Sequence, residues 1–225
     1  MSRSVCRGAG AEAGAALLTV LLLLVLLGAL AAAVTIATRT ETLIAANFRQ
    51  SRETFHVAEA AAALAGHELA GLADWTPVVS GAVPSTFVDG ASSGSRLLPG
   101  GDSATLCCGS GSLTADVQQR AYGGADWGAD TPVWRLFAWG PATAWLGTGR
   151  IHSVVYVAVW VADDPHDGDG NPAVDTNRTV AVHAQAFGVG GGRRVIETLV
   201  HRPLLGATGV PSAGVRNVVW REIRW

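Results

Sequence analysis

The pattern of apolar and polar positions divides the chain into an apolar run, a polar helical stretch and a strand-rich remainder. Ala15 to Thr38 contains no charged residue and is dense in Leu, Ala and Val (LLTVLLLLVLLGALAAAV). It passes without a break into TRTETLIAANFRQSRETFHVAEAAAALAGHELAGLADW, and the first proline of the chain is Pro77. Together the two stretches predict one continuous helix over residues 14–73, roughly 85–90 Å long at ~1.5 Å per residue. Residues 15–38 match the hydrocarbon thickness of a bilayer, and 39–73 would stand outside it. In that outer part Ile44, Phe48, Phe55, Ala62, Leu69 and Leu72 recur at spacings near three, four or seven, as one stripe of an amphipathic helix requires. The C-terminal half of the stripe is expected to pack on the following domain. The N-terminal half, with Ile44, Phe48 and Phe55, is expected to be available to other helices.

After Trp75 the period changes. Residues 80–124 are small and polar and read as extended loop, with at most a weak strand around Ser85–Val88. Val133–Trp139, Ile151–Ala162 and Arg178–Val189 have the β-branched and aromatic content of strands. Arg193–Arg202 follows a Gly190-Gly191-Gly192 turn as the second arm of a hairpin, and Val215–Trp225 adds a terminal strand. Strands joined locally in this way form an antiparallel meander with one face on the helix. The expected fold class is therefore α+β, a long N-terminal helix followed by an antiparallel sheet domain over 74–225.

Composition changes this picture in two places. A net charge of −2 argues against nucleic acid as a partner, which would call for a basic stripe. All 16 basic residues are Arg, most simply a trace of a GC-rich genome. Around the apolar run three readings compete. Arg3, Arg7 and an Ala29-Leu30-Ala31 site fit a cleaved secretory signal, although the uncharged stretch is longer than a signal needs. A plain signal anchor fits equally well, and so does a leader cut before the apolar segment, which then stays in the mature protein.

The residues at the start favour the last. Gly14 closes a short basic leader, residues 1–14, and GAALLTVLLLLVLLGAL then resembles the N-termini of type IV pilin-like proteins. Downstream, Thr38-Arg39-Thr40, Asn47-Phe48-Arg49 and Ala58-Glu59-Ala60 resemble the PilX N-terminal family of minor pilins over about the first quarter of the chain. The resemblance implies a pilin-like fold and cleavage after Gly14 by a prepilin peptidase, with methylation of the new N-terminus at Ala15. It also implies a single-pass, N-in position in the inner membrane with the C-terminal domain periplasmic. The partners it implies are membrane lipid, other pilins or pseudopilins and an inner-membrane assembly platform, with no catalysis. One departure stands out. Major pilins carry a glutamate at the fifth mature position, where this chain has Thr19. The K-type pseudopilin of type II secretion similarly lacks it and sits at a filament tip, so the departure implies a minor or initiating subunit of a type IV pilus-like filament.

Candidate chemistry adds little to that. Cys6 lies in the leader. Cys107 and Cys108 are adjacent, their Cα atoms ~3.8 Å apart across a trans peptide, closer than the ~4.4–6.8 Å usual for a disulfide. Two loop thiols are the plainer reading, a vicinal disulfide the alternative. In the loop Asp163–Asn171, Asp167, Asp169 and Asn171 have the D-x-D-x-N spacing of an oxygen-rich calcium loop, and Asp175 is near enough to contribute. Arg178 stands where an EF-hand needs Glu, so a solvated hairpin loop and a Ca²⁺ site both remain open. Zinc at His166 is the remaining reading. Gly90–Gly94 matches G-x-S-x-G but lacks the helix that a nucleophile elbow requires. His152, His183 and His201 fall on successive predicted strands, more as satisfied sheet residues than as a site. Trp134, Trp139, Trp145 and Trp160 suit a core. A binding surface on the Trp-rich sheet or the acidic loop, in an anchored or secreted envelope protein, is the reading from another class.

Overall fold

The computed structural model describes residues 9–120, 128–145, 153–205, 210–211 and 214–223. Cys6, Trp127, His152 and Trp225 lie outside them. In chain order the elements are helix α1 (Ala9–Gly71), α2 (Thr76–Val79), strands β1 (Ser95–Leu97) and β2 (Ser103–Thr105), α3 (Leu113–Arg120), β3 (Arg135–Pro141), α4 (Ala142–Trp145), β4 (Tyr156–Asp163), β5 (Thr179–Phe187), β6 (Arg193–His201), β7 (Leu204–Leu205), β8 (Val210–Pro211) and β9 (Arg216–Ile223). The chain divides into two units, Met1–Phe48 and Arg49–Trp225.

The described residues of the first unit are the N-terminal part of α1, with the uncharged run. Every described side chain from Gly14 to Arg49 is exposed, and the segment is long and apolar enough to cross a membrane. Its threonines fit that setting because each hydroxyl is satisfied within the helix. Thr35, Thr38, Thr40 and Thr42 donate to the carbonyl four residues back, and Thr19 donates to Ala16 O at 2.8 Å. For Thr19, Thr35 and Thr38, inside the uncharged span, such back-bonding is what would make a hydroxyl tolerable in hydrocarbon, where water cannot serve.

The second unit is α+β. Its five-stranded antiparallel sheet has the order β3-β4-β5-β6-β9, all five strands lying where the β-branched runs predicted them. The β7–β8 ribbon is inserted before the last strand. Alternate side chains of β4–β6 face opposite ways. Val157, Val159, Val161, Val180, Val182, Ala184, Ile196 and Val200 form one buried cluster with Val57, Ala58, Ala61, Ala62, Ala65 and Leu69 of α1. Ala62 and Leu69 belong to the stripe anticipated from the sequence, but the buried face is centred on Thr54, Ala58, Ala61 and Ala65, with Phe55 only half-buried at its margin. Small side chains let the helix lie close to the sheet. Gly188 marks how close, since a Cβ there would collide with the Thr54 hydroxyl.

The opposite face of the sheet is covered as well, which corrects the expectation of an extended loop over 80–124. That stretch holds the β1–β2 hairpin and α3, and it buries Leu106 and Val117 against Trp134, Trp139, Ala158, Trp160 and Ala181. α3 forms because Ser112 Oγ accepts the Ala115 N–H at 3.2 Å, an N-cap bond. Asp116 sits in its first turn and Arg120 in its last, paired at 2.7 Å. Cys107 and Cys108 form a vicinal disulfide with Cα atoms 3.7 Å apart, rather than two loop thiols.

Candidate functional site

Three regions carry the side chains singled out by the sequence. In the first, Gly14, Ala15 and Thr19 lie in α1, as do Ile44 and Phe48, which are 63% and 65% exposed. Thr19 presents a hydroxyl bonded within its own helix, where a carboxylate would present charge.

In the second, sheet register brings polar groups together on the face beneath α3. Leu136, Trp160, His183, Glu197 and Arg221 are successive cross-strand partners and form one row over all five strands. His183 is fully buried, between Trp134 and Trp160 with ring centroids 5.4 and 5.8 Å away. Gln185 donates its amide to His183 Nε2 at 2.7 Å, so the ring proton sits on Nδ1 and is donated to Glu197 Oε1, also at 2.7 Å. Glu197 Oε2 accepts from Arg221 at 2.5 and 2.9 Å. At the other end Gln185 Oε1 accepts from Arg193, which bridges to Asp116 at 3.1 Å.

Burial lowers the pKa of His183, against the pull of Glu197, and the ring is neutral. Burial would raise Glu197, but hydrogen bonds and charge from His183 and Arg221 hold it below the usual carboxylate range. With a neutral ring, the Nδ1–H bond and Arg221 supply most of that effect. The row resembles a carboxylate–imidazole relay, yet Nε2 is occupied by Gln185 and the ring meets no solvent. A cleft of about 180 Å³ beside Trp134, Glu197 and Arg221 is below the ~300–1,000 Å³ of small-molecule sites. The arrangement fixes register and burial. His201 lies apart from it, bonded to Thr179 Oγ1 at 2.9 Å.

The third region is the β4–β5 loop. Asp167 and Asp169 converge there with Asp163, one carboxylate oxygen of each lying within 4.8 Å of the others. Asn171 and Asp175 turn to local backbone. Asn171 Oδ1 accepts the Ala173 N–H at 3.2 Å, and Asp175 Oδ1 accepts that of Thr179 at 3.2 Å. Burial pushes Asp175 up to about 6. His166 Nδ1 faces Asp164 at 3.2 Å. The sequence places Asp163 at the start of this loop, outside the D-x-D-x-N spacing that singled out Asp167, Asp169 and Asn171; in the structure it is the last residue of β4.

One side chain that no motif marked holds the unit together. Arg202, 5% exposed, donates to the carbonyls of Leu69 at 2.9 Å, Ala70 at 3.3 Å, Leu72 at 2.5 Å and Ala73 at 3.1 Å, and lies over the Trp75 ring at 4.7 Å. α1 has no basic residue in its last turn, so Arg202 supplies the cationic cap from β6's far end. Trp75, Trp134, Trp139, Trp145 and Trp160 are all buried, and Trp220 is 47% exposed. The sheet tryptophans named in the sequence are thus core residues and present no aromatic binding surface.

No family model, curated protein or solved structure matches the chain.

Proposed function

We propose that the protein is a membrane-anchored, non-catalytic subunit of a type IV pilus-like filament, of the minor pilin or pseudopilin kind. The observation that carries this reading is the continuity of α1. An exposed apolar span runs without a break into residues 49–71, whose small-residue face is built into a folded sheet unit. One helix continuing from the apolar span into the folded unit is what a pilin-type subunit calls for, and a plain anchor does not require it.

On this reading a prepilin peptidase cuts after Gly14, Ala15 becomes the methylated N-terminus, and the apolar helix waits in the inner membrane with its N-terminus cytoplasmic. Assembly then replaces lipid with neighbouring helices, so apolar burial is exchanged rather than lost. Ile44 and Phe48 suit that contact. Thr19 offers no carboxylate to a neighbour's amine, which suits an initiating or tip position. A second surface also supports a partner. β9 ends the sheet, and its Val218, Val219 and Trp220 are 61%, 44% and 47% exposed, an apolar edge of the kind that pairs with other chains.

Photo-crosslinking in cells tests the reading. A crosslinking amino acid at Phe48 is expected to capture other filament subunits, and only when the assembly machinery is present. The same group at Ala61, which is 2% exposed, is expected to capture none. Capture at Phe48 that persists without the machinery would contradict assembly as the reason for its exposure.

A further inference from the structure

We propose that Asp163, Asp167 and Asp169 form a binding site for a hard divalent cation of the calcium class, holding the β4–β5 loop to the end of the sheet. The inference does not depend on the filament reading.

Two independent observations carry it. The first is convergence: three carboxylates from the strand end and the loop bring an oxygen each within 4.8 Å of one another. The second is the state of Asp163. It is 3% exposed, and its Oδ1 is buried without a hydrogen-bond partner, although the Asp164 N–H lies against the carboxyl. A buried carboxylate oxygen without a donor is strongly unfavourable, and two more carboxylates beside it make it worse. Donors of the surrounding loop serve its other carboxylates. His166 and Asn177 serve Asp164, while the Thr176 N–H and hydroxyl hold Asp167 in place.

The geometry asks for positive charge at this point. The donor set selects the ion. All three ligands are carboxylate oxygens with no His or Cys among them, which favours a hard cation over zinc. Calcium accepts six to eight oxygens in irregular arrangements, so water and further loop oxygens can complete its shell. Magnesium demands a near-ideal octahedron. The site is shifted from the D-x-D-x-N reading: Asp163 takes the place that Asn171 and Asp175 were expected to fill.

The test uses the full chain in detergent micelles, stripped of metal with a chelator and titrated with CaCl2 by calorimetry, with thermal melting in parallel. One calcium per chain and a Tm that rises with calcium concentration are expected. Asp163→Asn is expected to abolish both responses while its calcium-free Tm stays at or above that of the unsubstituted protein, because the amide takes an acidic group out of a buried cluster of three. Asp169→Asn, on the exposed side, is expected to weaken binding about tenfold or more, and Asp175→Asn to keep one-to-one binding. The proposal is overturned by an absence of binding up to about 10 mM CaCl2, beyond the weakest calcium modules. Unchanged binding by both Asp163→Asn and Asp169→Asn, or an equal response to MgCl2, would also overturn it.

Discussion

Replacing Arg202 with alanine is expected to destabilise the sheet unit by about 3–4 kcal/mol. The guanidinium donates to four carbonyls at and just beyond the end of α1 and lies on Trp75. Charge-assisted hydrogen bonds contribute ~1.5–3 kcal/mol each without adding fully, and a desolvated cation–π contact adds about 1–2 kcal/mol. Removing the side chain leaves the carbonyls of Ala70, Leu72 and Ala73 without this donor, while Leu69 O keeps the Leu72 N–H and the Trp75 indole N–H, and takes away a cation that completes the helix dipole there. At roughly 2–4 °C per kcal/mol for a domain of this size, the Tm read by circular dichroism should fall by about 10 °C. Arg202→Lys should recover less than half of that, since an ammonium cannot span the carbonyls and stack on the ring together. A loss below about 1 kcal/mol for the alanine variant would show that water replaces the guanidinium without penalty.

The second large effect is expected at Glu197. Glu197→Ala removes the acceptor of a fully buried imidazole N–H and the partner of Arg221. Arg221 is half exposed and can turn to water, so most of the loss falls on His183. About 3 kcal/mol is expected, whereas Glu197→Gln, which keeps an accepting oxygen, should stay within about 1 kcal/mol.

The same pair sets a pH dependence. His183 has a folded pKa below its unfolded 6.5, so acidification protonates the unfolded chain first and stability falls as pH drops below 6.5. Glu197 has a folded pKa below 4.5, and its contribution is lost in the same direction at lower pH. The charged groups facing His183 are Glu197, Arg193 and Arg221. His183→Gln should therefore gain on the unsubstituted protein as pH falls from 6.5 to 5. The limiting slope of that difference is about 1.4 kcal/mol per pH unit for one proton. Carboxyls elsewhere, including Asp175, drop out of the difference. Parallel stability curves for the two proteins would show that the buried ring takes up its second proton and is charged in the fold.

How much of this was legible along the chain follows from the range of the interactions. The uncharged run and the Pro-free continuation read directly as one helix, because both are local. The five strands read from β-branched runs for the same reason. The Ala58–Ala61–Ala65 face was hidden among alanines, which carry little contrast against a polar helix, and Phe55 drew the stripe toward the margin of the buried face. α3 had a signal, Ser112 ahead of Leu113 with Asp116 and Arg120 four apart, that the surrounding glycines and serines obscured. The His183 row depends on register across five strands and the Asp163 cluster on where a strand stops. The Arg202 cap spans about 130 positions. None of these leaves a spacing to read.

The central claim, that the apolar helix belongs to a filament subunit released at Gly14, is tested most directly by intact mass and N-terminal peptide mapping of membrane-extracted protein. The protein should be produced with and without the cognate prepilin peptidase. The account predicts an N-terminus at Ala15, heavier by one methyl group, that is lost when the peptidase is absent. Retention of Met1, or an N-terminus near Ala32, would contradict it and leave an anchored or secreted envelope domain.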